Sequence, residues 1–135
     1  MWSFVENGPS FVQFVVLVSC PVMGLSHIAR PRMWVDFFNG LHAQGMRGVI
    51  TRTFTFELWP AILIVSFHQV WHGPATVITI YGWLLTAKVA LAMLVPETGL
   101  KSLALASKGP QSFIIGGCLL VGIGACAGSA LFWPA

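Results

Sequence analysis

The chain has 135 residues, of which 56% are hydrophobic and only 8% charged, with seven Lys/Arg against four Asp/Glu. A soluble domain carries about 25% charged residues. Eleven charges cannot cover a water-soluble surface of this size, so a soluble enzyme, a nucleic-acid module and a disordered tail are excluded and a membrane protein is indicated.

A helix needs about 20 mostly apolar residues to cross the hydrocarbon core. The first qualifying segment covers about 11–29, with Gln13 its one strongly polar residue before His27. Within it, Leu17-Val18-Ser19-Cys20 has the look of a lipoprotein cleavage box, but the first ten residues of the chain contain Glu6 and no Lys or Arg. A secretory signal needs a basic leading segment, so this span is expected to be retained. Pro21 falls inside it and is expected to kink it.

Residues 31–44 follow a different pattern. Met33, Trp34, Phe37, Phe38 and Leu41 are apolar, while Arg32, Asp36, Asn39, His42 and Gln44 are polar. At 100° per residue, 34, 37, 38 and 41 share one face. The segment is too short to span and is expected to be an interfacial amphipathic helix, its aromatic face in lipid or against the bundle. Trp34 and Trp71 are the expected interface anchors.

The second span covers about 49–71 and contains Glu57 and Pro60, the latter a second expected kink. The third covers about 75–95 and contains Lys88. Gly73-Pro74 separates the two, which predicts an antiparallel hairpin. Pro96 closes the third span and Gly109-Pro110 precede the fourth, which covers about 112–132 and carries no charge. The fold expected is all-α: one domain, a polytopic membrane protein of four transmembrane helices plus the interfacial helix. Open strands are disfavoured because lipid offers their edges no hydrogen-bond partners.

Arg30, Arg32, Arg47 and Arg52 lie in or beside the first connection, and Lys101 and Lys108 in the third. The positive-inside rule places both connections in the cytoplasm of a bacterial inner membrane, with both termini periplasmic.

Ionisable residues inside a membrane need partners. Glu57 and Lys88 stand fifteen residues before and after a turn at 72–73, hence at equal depth. They are read as an intramembrane ion pair locking the hairpin. A proton or ion relay, or snorkelling of both groups, is the alternative. Arg52 is a rival partner for Glu57. Glu57, Ala61, Ile64 and His68 share a face that is expected to pack inward. His68 and His72 are four apart and would share a metal on a continuous helix, but Gly73-Pro74 and the lack of a nearby carboxylate or thiol argue against a metal site. His68 is expected to hydrogen-bond across the hairpin. His27, at the inner end of the first span, fits a capping role or, less readily, haem or pigment ligation. Otherwise no cofactor is expected. Cys20, Cys118 and Cys126 lack metal spacing and are read as small buried thiols.

The fourth span holds Gly116, Gly117, Gly122, Gly124 and Gly128. Gly124-x-x-x-Gly128 is a close-approach motif, and Cys118, Gly122 and Cys126 extend a small-residue stripe, fit for packing within the chain or against another. No nucleophile constellation, phosphate loop or carboxylate pair is present.

At His68, Trp71, Gly82, Trp83, Lys88 and Pro96 the chain resembles a family of small four-helix bacterial integral membrane proteins without an established activity. Gln69 stands where that family carries Asn. The resemblance covers about 50 residues around the second and third spans. It implies the four-helix topology and singles out His68, Trp71 and Lys88.

Three functions fit these residues: a non-catalytic accessory or scaffolding subunit of a larger membrane complex, a small oligomeric transporter or proton-coupled channel, and a haem- or pigment-binding protein. The expected partners are the lipid bilayer and other membrane subunits or a second copy, and no nucleic acid.

Overall fold

The computed structural model describes residues 7–106 and 108–133. The outermost residues of both termini, whose side of the membrane the charge pattern assigns, lie outside the described residues. Six helices and no strand are present among the described residues: α1 (Gly8–Ala29), α2 (Pro31–Ala43), α3 (Met46–Phe67), α4 (Ala75–Leu94), α5 (Pro96–Ala106) and α6 (Gln111–Phe132). α1, α3, α4 and α6 are each long and apolar enough to cross a membrane. The chain is an all-α polytopic membrane protein.

Local chemistry explains the boundaries. Asn7 caps α1, its side chain accepting from the Ser10 amide at 2.8 Å. Gly45 turns the chain between α2 and α3 at φ 62°, and Gly73 does so between α3 and α4 at φ 63°. α3 ends at Phe67, four residues before the expected Trp71. Thr79 accounts for this, because its hydroxyl donates to the Val70 carbonyl at 2.7 Å and so takes the place of a further helical turn.

α1 and α6 form the most extensive seam, running antiparallel. Gly24 and Gly117 face each other so closely that a Cβ on either would meet the other's carbonyl. Gly124 makes room for the Pro21 ring, and Gly128 lies over Leu17. Without a hydrophobic drive between helices in lipid, this close approach is what gains van der Waals contact. Gly122 does not belong to the seam: a Cβ there would meet no heavy atom of the described residues within 4 Å. Cys118 is exposed and Cys126 half-buried, so of the three thiols only Cys20 is buried as expected. That face of α6 turns away from the bundle. An apolar run in a membrane helix therefore does not identify a core face.

The second seam joins α3 to α4, where Gly82 receives Ile64. Two hydrophobic clusters result. One gathers Val12, Val16, Cys20, Ile64, Ile78 and Ala127 within the spans. The other gathers Leu41, Val49, Ala92 and Leu103 at the end bearing the connections.

The second cluster depends on α2 and α5. The aromatic face of α2 lies against the bundle: Trp34 stacks on His27 at 4.3 Å, and Phe38 meets Phe113 edge-on at 5.0 Å. α5 occupies residues that pattern analysis leaves as a plain connection. Pro96 supplies a preorganised first turn. Gly99 and Leu103, four apart on one face, are buried, and Gly99 sits against Val49.

The packed and open glycines of α6 differ in a measurable way. Gly117→Ala should lower stability by about 1–3 kcal/mol through overpacking. Gly122→Ala should leave it unchanged or slightly raised. Thermal unfolding of both variants in one detergent checks the contrast.

Candidate functional site

The charged residues of α3 meet because its helix changes pitch. Residues Thr53–Leu58 form a π-helical turn. On an α-helix, positions five apart point about 140° away from each other. A turn closed by i→i+5 bonds stacks them instead. Arg52 and Glu57 are five apart and lie on the same side, Nε to Oε1 at 3.0 Å. Pro60 follows at once. It has no amide hydrogen to donate to Phe56 and its ring would crowd that carbonyl, and a widened turn relieves both problems.

Lys88 reaches the same carboxylate from α4, Nζ to Oε2 at 2.9 Å. Arg52 is thus a second partner for Glu57 rather than a rival, and each carboxylate oxygen faces one cation. The Arg52 Nη1 also donates to Ser102 Oγ on α5 at 3.2 Å. The Arg52 and Glu57 side chains are 4% and 9% exposed, the Lys88 side chain 51%. Two cations and one carboxylate leave the cluster with one net positive charge. Arg52 Nη2 and Thr53 Oγ1 are buried without a hydrogen-bond partner among the described residues. The cluster borders a cleft of about 420 Å³ that Tyr81, Leu84 and Ser102 help to line.

At the other end of α3, His68 is fully buried. Its Nδ1 is 2.9 Å from Thr79 Oγ1 and its Nε2 is 3.2 Å from Gln13 Nε2. The protons can be assigned from the partners. The Thr79 hydroxyl hydrogen goes to the Val70 carbonyl, so that oxygen accepts from His68 Nδ1–H. Nε2 is then bare and accepts from the Gln13 amide. The ring is neutral in this arrangement. One imidazole thereby ties α1, α3 and α4 together. Between this node and Glu57, Ala61 and Ile64 are buried, and Ile64 fills the space at Gly82.

His72 and Trp71 are exposed in the turn after α3, so the helix break separates His72 from His68. Gln69 braces the hairpin, its amide donating to Val65 O at 2.7 Å while its Oε1 accepts from Trp83 Nε1 at 3.2 Å. His27 is half-buried. Its Nδ1 donates to the Met23 carbonyl at 2.6 Å, and its ring stacks on Trp34. The Trp34 indole N–H is satisfied within the protein by Ser26 Oγ at 3.0 Å, so this residue is a clamp between α1 and α2 rather than a free anchor. His27, Trp34, Phe56, Trp59, Leu63 and Leu120 are among the walls of a largely apolar groove of about 530 Å³.

Sequence reasoning misses Gln13, Thr79 and Ser102. Gln13 carries a signal, as the lone amide early in a span requires a partner. Thr79 and Ser102 carry none, because hydroxyls are common in such segments. No protein-family model, curated protein sequence or solved structure matches this chain.

Glu57→Gln should cost about 3–5 kcal/mol, because it strands a buried guanidinium. Lys88→Gln should cost less, since Lys88 is half-exposed and Arg52 still holds the carboxylate. Detergent thermal unfolding measures both.

Proposed function

We propose that this protein is a non-catalytic accessory or scaffolding subunit of a larger complex in the bacterial inner membrane. Its termini face the periplasm, and α2, α5 and the start of α3 face the cytoplasm. The observation that carries this reading is the engagement of its intramembrane polar groups with one another. Glu57 binds two cations at 3.0 and 2.9 Å, and His68 is occupied at both nitrogens. Apolar side chains are packed between the two nodes, with Ile64 against Gly82. Groups held in this way serve to fix helices, whereas a relay needs a polar route and groups free to exchange protons. The outward face of α6, with Gly122 and Cys118 uncovered, suits contact with a helix of another subunit or a second copy.

Gentle purification of the tagged native protein tests this. Stoichiometric partner polypeptides, identified by mass spectrometry in a colourless preparation, are the expected result. Gly122→Leu should release the partner while leaving the unfolding temperature of the isolated protein unchanged. A colourless homo-oligomer with pH-dependent ion flux in vesicles would favour a transporter instead, and a Soret or pigment band would favour haem or pigment at His27.

A further inference from the structure

The charged cleft and the apolar groove are neighbours. Phe38, Phe56 and Tyr81 are walls of both. The groove lies between two helix pairs, since α1 packs mainly on α6 and α3 on α4, with little contact between α1 and the second half of α3. Met23, Trp59, Leu63 and Leu120 give it an apolar lining.

The cleft offers the opposite chemistry. Its cluster carries one net positive charge. Arg52 is 3% exposed, and its Nη2 is a buried donor without a hydrogen-bond partner among the described residues. A buried donor of this kind is costly to leave unmade. The half-exposed Lys88 ammonium has three donors, of which the Glu57 bond engages one. Ser102 Oγ stands beside the guanidinium at 3.2 Å from Nη1.

An oxygen-rich anion joined to a hydrocarbon chain satisfies both compartments at once. We propose that cleft and groove together form a binding site for one anionic phospholipid. The phosphodiester lies beside Lys88, Arg52 and Ser102, and an acyl chain follows the groove past Leu63 and Trp59. The single negative charge of a phosphodiester offsets the single positive charge of the cluster. A zwitterionic lipid adds a cation that this cluster repels. The site is independent of the subunit reading above and requires only that the chain sit in a bilayer.

The experiment is native mass spectrometry of the full-length protein in detergent, titrated in turn with phosphatidylglycerol and with phosphatidylcholine of identical chains. One phosphatidylglycerol should be retained per protein, about tenfold more tightly than phosphatidylcholine, the factor given by one charge-assisted contact. Lys88→Gln should reduce that preference to near unity, and Ser102→Ala should reduce it in part. Both variants keep the Arg52–Glu57 pair. Leu63→Trp, which fills the groove, should weaken both lipids alike. Equal retention of the two lipids, or a preference that survives Lys88→Gln, overturns the proposal. So does soluble glycerol phosphate that competes with phosphatidylglycerol at equal concentration, because that would be an anion site without use of the groove. A neutral prenyl lipid or a coloured cofactor co-purifying in the groove overturns it as well.

Discussion

The carboxylate of Glu57 is the point on which the connection-bearing end of the bundle is organised. It lies in the middle of α3, where an unpaired charge is costly, and it is held by Arg52 from its own helix and Lys88 from α4. Arg52 in turn reaches Ser102 on α5. One acidic group thus binds three helices, and the π turn is the backbone adjustment that lets the nearer cation reach it. A regular α-helix would point Arg52 and Glu57 to different faces and leave one of them facing lipid.

The opposite half of the bundle is held without charge. There the neutral His68 links Gln13 and Thr79, while the α1–α6 seam, which reaches into the charged end as well, relies on backbone proximity at Gly24, Gly117 and Gly124. The two solutions suit their positions. Ion pairing joins helices where long side chains can also reach the cationic end of the protein, whereas amide–imidazole bonds serve at the other end, where no counter-charge is at hand. α2 and α5 complete the charged end, closing a second apolar cluster around Leu41, Val49 and Leu103 that the spans alone do not form.

The spans, the hairpin and the amphipathic α2 are legible in the sequence because lipid imposes length and apolarity directly on it. The meeting of Glu57 and Lys88 is legible as well, since equal distances from a turn mean equal depth. The π turn is not, because pitch is decided by the competition between Pro60 and the backbone around it. α5 escapes notice because its eleven residues include a glycine and polar side chains, and its helicity comes from docking on Val49. Which face of α6 is the packed one is also hidden. Its glycines look alike in sequence, and only the positions of Pro21, Gly24 and Leu17 on the partner helix separate Gly117, Gly124 and Gly128 from Gly122.

The pairing of α1 with α6 has a consequence for biogenesis. Synthesis is vectorial, so α1 enters the bilayer with the Gly24–Pro21 face uncovered and keeps it so until α6 emerges. The α3–α4 hairpin is local and closes early, whereas the α1–α6 seam joins segments far apart in sequence and closes later. In the interval the nascent chain presents a sticky flank to every other helix in the membrane, and the arrival of α6 is the moment at which that flank stops soliciting strangers.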